Sequence, residues 1–288
     1  MNEIFKNKDW QKQFSRYGYV IIPSILNPSE IKQIRDTYSK FSNEITQSFH
    51  TSHFSINVNY KKTIQEKIIE IVYPNLLPLL NNYVPVFANM MVKSADTNNF
   101  LQMHADWTYV DETKFRSISA WIPLVDTNKQ NGCFGVIDES HVFTNLIRGP
   151  RIQQNNFKRD RVWVKKYGKL ICLKAGDAII FDHALLHFSL ANFSGVVRPA
   201  INMSMVPKDV EVVHYCVPTG ANEIEKYIVD DLNFYLEYDN WERPRIGKPV
   251  EYLPIETIKY IDYHLENYGK THLSLGGRFI SFLKGHFV

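Results

Sequence analysis

Gly176-Asp177-Ala178-Ile179-Ile180-Phe181-Asp182-His183-Ala184-Leu185-Leu186-His187-Phe188-Ser189-Leu190 is the stretch on which the fold turns; the cluster Asn192-Phe193-Ser194-Gly195 and then Arg198-Pro199 follow it. Gly-Asp marks a turn, and the apolar run Ala178 to Leu190 reads as strand, as does Pro199 to Val206 after the second turn cluster. The same texture extends back along the chain through Val84 to Val92, Phe100 to Trp107, Ser117 to Leu124 and Leu170 to Leu173. Asp96-Thr97-Asn98-Asn99 and Asn128 to Gly132 are the turn clusters between them. Many short strands of this kind predict a mainly β sandwich or jelly roll with flanking helices.

The helices belong to the opening. Tyr17 to Ile22 reads as a strand closed by Pro23. Asn27, Pro28 and Glu30 then form a capping-box start for a helix carrying Ile31, Ile34, Tyr38 and Phe41 on one face. A second helix is predicted from Thr63, with Ile64, Ile68 and Ile71 aligned, and Ile255 to Leu265 suits a further one. Thr144 to Lys169 reads as a long basic connection, either a solvated loop or a lid that greets an anionic substrate. Trp241 to Pro254, with three prolines, reads as structural packing.

Composition narrows the class. With 44% apolar residues, 18 Phe and 16 Tyr, the chain is no disordered or coiled-coil protein. A net charge of +3 is too small to argue for nucleic acid or an anionic membrane. Ile68 to Val92 is broken by Glu70, Pro74, Pro78 and Pro85 and cannot span a bilayer. Cys133, Cys172 and Cys216 are odd in number and far apart, so neither a disulfide framework nor a thiolate metal site is expected. The first residues lack the apolar stretch of a signal peptide. A soluble, cytoplasmic protein with a small-molecule substrate is expected, with no nucleic-acid or membrane partner.

His104-Ala105-Asp106 carries the first chemical signal. Residues i and i+2 of a strand share a face, so an imidazole and a carboxylate project together. A nitrogen and an oxygen ligand suit a borderline metal such as iron, and a third ligand from the 176–190 stretch would complete a two-histidine, one-carboxylate triad. Such a triad leaves positions open for a bidentate cosubstrate and dioxygen. His183 and His187 have the same strand parity, so the pattern alone leaves both open. Arg198 follows across the turn, where a hairpin would set its planar fork beside the metal-bearing strand to hold a dicarboxylate, with Ser189 adding a hydrogen bond.

These features together resemble the phytanoyl-CoA dioxygenase family of non-haem iron, 2-oxoglutarate-dependent oxygenases. Phe14 to Pro23 with its capped helix is similar to that family's opening, and His104-Ala105-Asp106 to its metal pair. Trp121-Ile122-Pro123-Leu124 and Asn131 to Val136 are similar to its central strands, and Gly176-Asp177 through His187, Ser189, Asn192 and Arg198 to its closing segment. The spacing of the last three favours His187 as the distal ligand. Where the family commonly has Pro-Gly-Ser-His, this chain has Asp138-Glu139-Ser140-His141. This departure alters a loop on the substrate side.

The resemblance implies a double-stranded β-helix (jelly roll, cupin-like). One dioxygenase domain would occupy 1–288: a helical and strand part to about 83, the jelly-roll core over about 84–215, and a C-terminal extension after it. It implies that His104, Asp106 and His187 bind Fe(II) and that Arg198 and Ser189 hold the distal carboxylate of 2-oxoglutarate, with Trp121 and Lys93 beside the cosubstrate. The reaction implied is hydroxylation of an unactivated carbon by dioxygen, with release of succinate and carbon dioxide. The substrate would be a free acid, amino acid, phosphonate or acyl thioester; the carboxylate at Asp106 disfavours halogenation. Two other readings are a non-catalytic jelly-roll binding protein and a zinc hydrolase on the same ligands.

Overall fold

The computed structural model describes residues 3–45, 47–95, 98–144, 146–152, 157–237 and 244–255. Local signals set the opening. The Asn7 side chain accepts the Asp9 and Trp10 amides to start α1 (Lys8–Tyr17), a helix with no counterpart in the sequence reading. Gly18 ends it at φ 84°, a left-handed conformation that suits glycine. A Cβ there would also lie 2.5 Å from His141 Nδ1. The chain passes directly into β1 (Tyr19–Ile22), so Tyr17 closes the helix instead of opening the strand.

The expected capping box starts α2 (Pro28–Ser39): Asn27 accepts the Ser29 and Glu30 amides, and the Glu30 carboxylate accepts the Asn27 amide. Helix α3 (Val58–Leu76) begins five residues before the predicted Thr63, because Asn57 caps it by accepting the Tyr60 amide at 3.0 Å. The other elements in chain order are β2 (Phe49–Thr51), β3 (Tyr83–Lys93), β4 (Leu101–His104), β5 (Ile118–Pro123), β6 (Phe134–Val136) and α4 (Phe157–Tyr167). They continue with β7 (Lys169–Ile171), β8 (Ala178–Asp182), β9 (His187–Ser189), β10 (Arg198–Pro207), β11 (Val213–Cys216), β12 (Glu223–Ile228), α5 (Phe234–Glu237) and β13 (Glu251–Pro254).

Six strands form one sheet in the order β1-β8-β5-β10-β3-β2, four form a second as β4-β9-β6-β7, and β11-β12-β13 form a third. Counted from β3, the eight strands to β10 divide between the first two sheets as 1-8-3-6 and 2-7-4-5, which is the jelly-roll order. Alternation along each strand divides the core. Met90, Val92, Ile118, Ile122, Ile201 and Met203 pack with Ile64 and Ile68 of α3 on the helix side. Trp121, Ile179, Phe181 and Ala200 instead pack with Phe134 and Val136 of the four-stranded sheet. Each large apolar side chain buried in this way contributes about 1.5–3 kcal/mol of burial free energy. Period two then puts Ser119 and Arg198 on the same inter-sheet face as Trp121 and Ala200.

Three expectations are corrected. The run 178–190 is two strands in different sheets, because the Asp182 carboxylate accepts the Ala184 amide at 2.8 Å and its carbonyl the Leu185 amide, turning the chain. His183 therefore shares no strand with His187, and their common parity carries no meaning. Strands β9 and β10 form no hairpin, since β10 pairs with β3 and β5; Arg198 reaches the site from the facing sheet. Nor is 144–169 one long loop: it contains α4, and Arg148 within it is buried. The predicted helix 255–265 falls outside the described residues beyond 255, as do 241–243 of the proline-rich segment. Among the described residues no helix is long and apolar enough to cross a membrane.

Candidate metal and cosubstrate site

His104 ends β4 and His187 begins β9, and the two are register partners. Their rings lie 4.2 Å apart between centroids. His104 Nδ1 sits 2.7 Å from the Gln102 carbonyl and His187 Nδ1 2.9 Å from the Leu185 carbonyl. A carbonyl only accepts, so each ring's proton is assigned to Nδ1 and each Nε2 presents its lone pair. Asp106 Oδ1 lies 4.0 Å from His104 Nε2 and 3.6 Å from His187 Nε2. One donor atom from each of the three residues falls within 4.8 Å of the others, a spacing that can hold a metal ion.

Electrostatics favour the ligating forms. Burial, reinforced by His104, pushes the His187 pKa down to about 4, so the ring stays neutral. Burial of Asp106 works against its charge, but His187, His183, His104 and the Ser119 hydrogen bond outweigh it and hold the carboxyl below its usual value. Asp106 Oδ2 is also occupied. Ser119 Oγ donates to it at 2.9 Å and lies 3.0 Å from His183 Nε2, so only Oδ1 faces the imidazoles. Phe134 stacks on the His187 ring at 5.3 Å and 9°, and Phe181 packs against it at 4.7 Å.

Arg198 is 2% exposed, and among the described residues neither its Nε nor its Nη1 has a hydrogen-bond partner. The buried Ser189 hydroxyl is unpartnered as well. Burial lowers the Arg198 pKa only to about 10, so the guanidinium remains charged. A buried unpaired cation is costly unless something anionic meets it. The guanidinium lies 5.5 Å from the Trp121 ring, which itself packs 5.2 Å from Phe134. Lys93 is the register partner of Arg198. Its Nζ donates to the Asn99 and Leu190 carbonyls and lies 3.4 Å from that of Ser189. Burial and the neighbouring Arg198 bring the Lys93 pKa down to about 6.

A family model described as phytanoyl-CoA dioxygenase (PhyH) matches residues 14–200, nearly two thirds of the chain. The chain belongs to the phytanoyl-CoA dioxygenase family. This family comprises non-haem iron, 2-oxoglutarate-dependent dioxygenases, and the converging His104, Asp106 and His187 donors fit such an iron. A curated relative, "Phytanoyl-CoA dioxygenase domain-containing protein 1 homolog" of Dictyostelium discoideum, is 22% identical over 175 residues, or 57% of this chain. The match spans about 60% of that relative's length.

Solved structures share the fold. The non-haem α-ketoglutarate-dependent epimerase SnoN of nogalamycin biosynthesis superposes at a TM-score of 0.51 with 14% identity, covering 87% of this chain and 96% of that one. The carbocyclase SnoK of the same biosynthesis gives 0.50 with 18% identity, covering 72% and 86%. HygX of Streptomyces hygroscopicus, with nickel and 2-oxoglutarate bound, gives 0.52 with 12% identity, covering 70% and 88%.

Several residues around this site carry little signal in the sequence. Ser119 had one faint signal, a polar residue two places before Trp121 in an otherwise apolar strand. Arg148 belongs to the basic segment that reads as either a solvated loop or a lid, and it is instead a buried clamp. It pairs with buried Glu112 and donates through Nε to the Asp106 carbonyl at 2.7 Å and through Nη1 to the Thr144 carbonyl at 2.9 Å. Other cations of that segment are also engaged: Lys166 lies over Trp163 and Tyr167, and Lys169 meets Tyr19 and Asp138. In the segment that departs from the family, Asp138 accepts from Tyr19, and Glu139 takes φ 63° where the family commonly has glycine.

Proposed function

We propose that this chain is an Fe(II)- and 2-oxoglutarate-dependent oxygenase that hydroxylates an unactivated carbon of a small metabolite, and that residues 1–288 form one such domain. In this reading His104 and His187 hold the iron through Nε2 and Asp106 through Oδ1. Arg198 and Ser189 receive the distal carboxylate of 2-oxoglutarate, and Trp121 bounds its methylene chain. Bound there, iron and cosubstrate supply the oxidising power for C–H cleavage as 2-oxoglutarate is converted to succinate and carbon dioxide. Phe134, Phe181 and Trp121 keep water from the buried side of the ligands. Lys93, whose donors already face carbonyls, braces the strand ends around Arg198.

The observation that carries this reading is the buried, unpaired Arg198 together with the unpartnered, buried Ser189 hydroxyl. A zinc hydrolase built on the same three ligands gives neither residue a task. The test is anaerobic titration of the protein with Fe(II) and then 2-oxoglutarate. A visible metal-to-cosubstrate charge-transfer band is expected, with its half-saturation moved to far higher cosubstrate in Arg198→Ala. No band at saturating 2-oxoglutarate rejects the proposal.

A further inference from the structure

Two of the three thiols, neither used by the proposed chemistry, face each other. Strands β6 and β7 pair Phe134 with Ile171, so one further step of the antiparallel register opposes Cys133 to Cys172. The Cys133 carbonyl accepts the Leu190 amide at 3.2 Å, and its own amide donates to the Asn128 carbonyl at 3.1 Å. Its peptide groups thus point away from β7, which makes the pair a non-hydrogen-bonded one. In such pairs opposed Cα atoms lie about 4.5 Å apart, within the roughly 4.4–6.8 Å that a disulfide spans. Burial raises the Cys133 pKa first, and the neighbouring Cys172 raises it further. Cys133 is fully buried and Cys172 exposed, so one thiol can meet a reagent and the other can resolve the product.

We infer that Cys133 and Cys172 are a modification site: they form a reversible intramolecular disulfide by exchange with a small disulfide such as oxidised glutathione. The Cys172 thiolate attacks one glutathione sulfur, the glutathione S–S bond breaks and one reduced glutathione leaves. Cys133 gives up its proton and attacks the Cys172 sulfur of the mixed disulfide, releasing the second reduced glutathione. Two protein thiols lose two electrons and two protons; one small disulfide gains them as two thiols.

The bond would close directly behind the site. Cys133 precedes Phe134, whose ring stacks on His187, and its carbonyl anchors Leu190, which in turn accepts from Lys93. Cys216 is an internal control, because it lies on β11 in a different sheet, opposite Glu225.

The test incubates the full chain with a metal chelator in glutathione buffers of graded oxidation, then reads free thiols after denaturation, intact mass and a peptide map. Free thiols are expected to fall from three to one. The mass should drop by two hydrogen atoms with no glutathione retained, and the map should join Cys133 to Cys172 with Cys216 reduced. Cys133→Ser should keep glutathione on Cys172, whereas Cys172→Ser, altered only at an exposed position, should leave its thiols reduced. Wild-type protein that stays glutathionylated at Cys172, joins between chains or keeps three thiols in the most oxidising buffer overturns the inference.

Discussion

Asp106 offers a metal one oxygen because the other is occupied. Ser119 donates to Oδ2 at 2.9 Å, and its oxygen also lies 3.0 Å from His183 Nε2, while His183 Nδ1 faces the Trp107 carbonyl at 3.2 Å. Ser119→Ala leaves the carboxylate free to rotate and a buried imidazole short of a partner. Hydrogen bonds to metal ligands of this kind are worth about 10–100-fold in metal affinity. We expect anaerobic titration to show Fe(II) binding weakened by that factor in Ser119→Ala, and largely restored in Ser119→Thr. Equal Fe(II) affinity in all three proteins would remove Ser119 from the site's support. His104 and Asp106 were legible in the sequence as a local His-x-Asp pair, whereas pattern left His183 and His187 open and only the family resemblance favoured His187. Ser119 was not legible, since its role depends on a register between β5 and the 105–106 segment that no local pattern encodes. His183 was legible only as a rival ligand; its place behind Ser119 depends on the turn that follows β8.

At the level of elements, that turn decides which sheet receives His187. A mostly apolar run hides it from a reading of hydrophobic pattern, and one carboxylate within that run, Asp182, creates it. Asp182 accepts the Ala184 amide, lies 3.6 Å from Arg116 Nε and is buried. Burial raises its pKa from 3.8 to about 7 despite Arg116 and the Ala184 amide, with Glu112 adding to the rise. Between about pH 4 and 7 the folded chain therefore keeps a proton that the unfolded chain has released. Stability linked to this group is greatest below that window and declines as pH rises through it, on the order of 1 kcal/mol per pH unit. Asp182→Asn keeps the acceptor for Ala184 and removes the proton. Denaturant unfolding measured from pH 5 to 8 should show a shallower loss of stability with rising pH in the variant. An unchanged slope would mean that Asp182 is already ionised at pH 5. The capping box of α2 was legible from the residues Asn27, Pro28 and Glu30, because a cap is a contact between near neighbours. The early start of α3 and the whole of α1 hung on single capping asparagines, Asn57 and Asn7, which compete with many other asparagines for attention.

Across the whole molecule, the proposed ligands join two sheets that otherwise meet mainly through apolar contact. His104 and His187 stand on the four-stranded sheet and Arg198 on the six-stranded one, facing each other across Trp121 and Phe134. The jelly roll was legible from strand spacing, but a hairpin was the natural expectation for β9 and β10 because their turn is short. The observed crossover is what opposes the cation to the metal ligands. A cosubstrate that meets both iron and Arg198 would tie the sheets together and stabilise the fold by mass action, about 2.7 kcal/mol at a hundredfold excess over its dissociation constant. Two steps are therefore expected in anaerobic thermal unfolding, one rise in melting temperature on adding Fe(II) and a second on adding 2-oxoglutarate. Arg198→Ala should keep the first and lose most of the second at the same cosubstrate concentration. His187→Ala should lose both, because no iron remains for the cosubstrate to chelate. If Arg198→Ala retains the full second step, the dicarboxylate is held from one sheet alone, and the buried guanidinium must answer to some other anion.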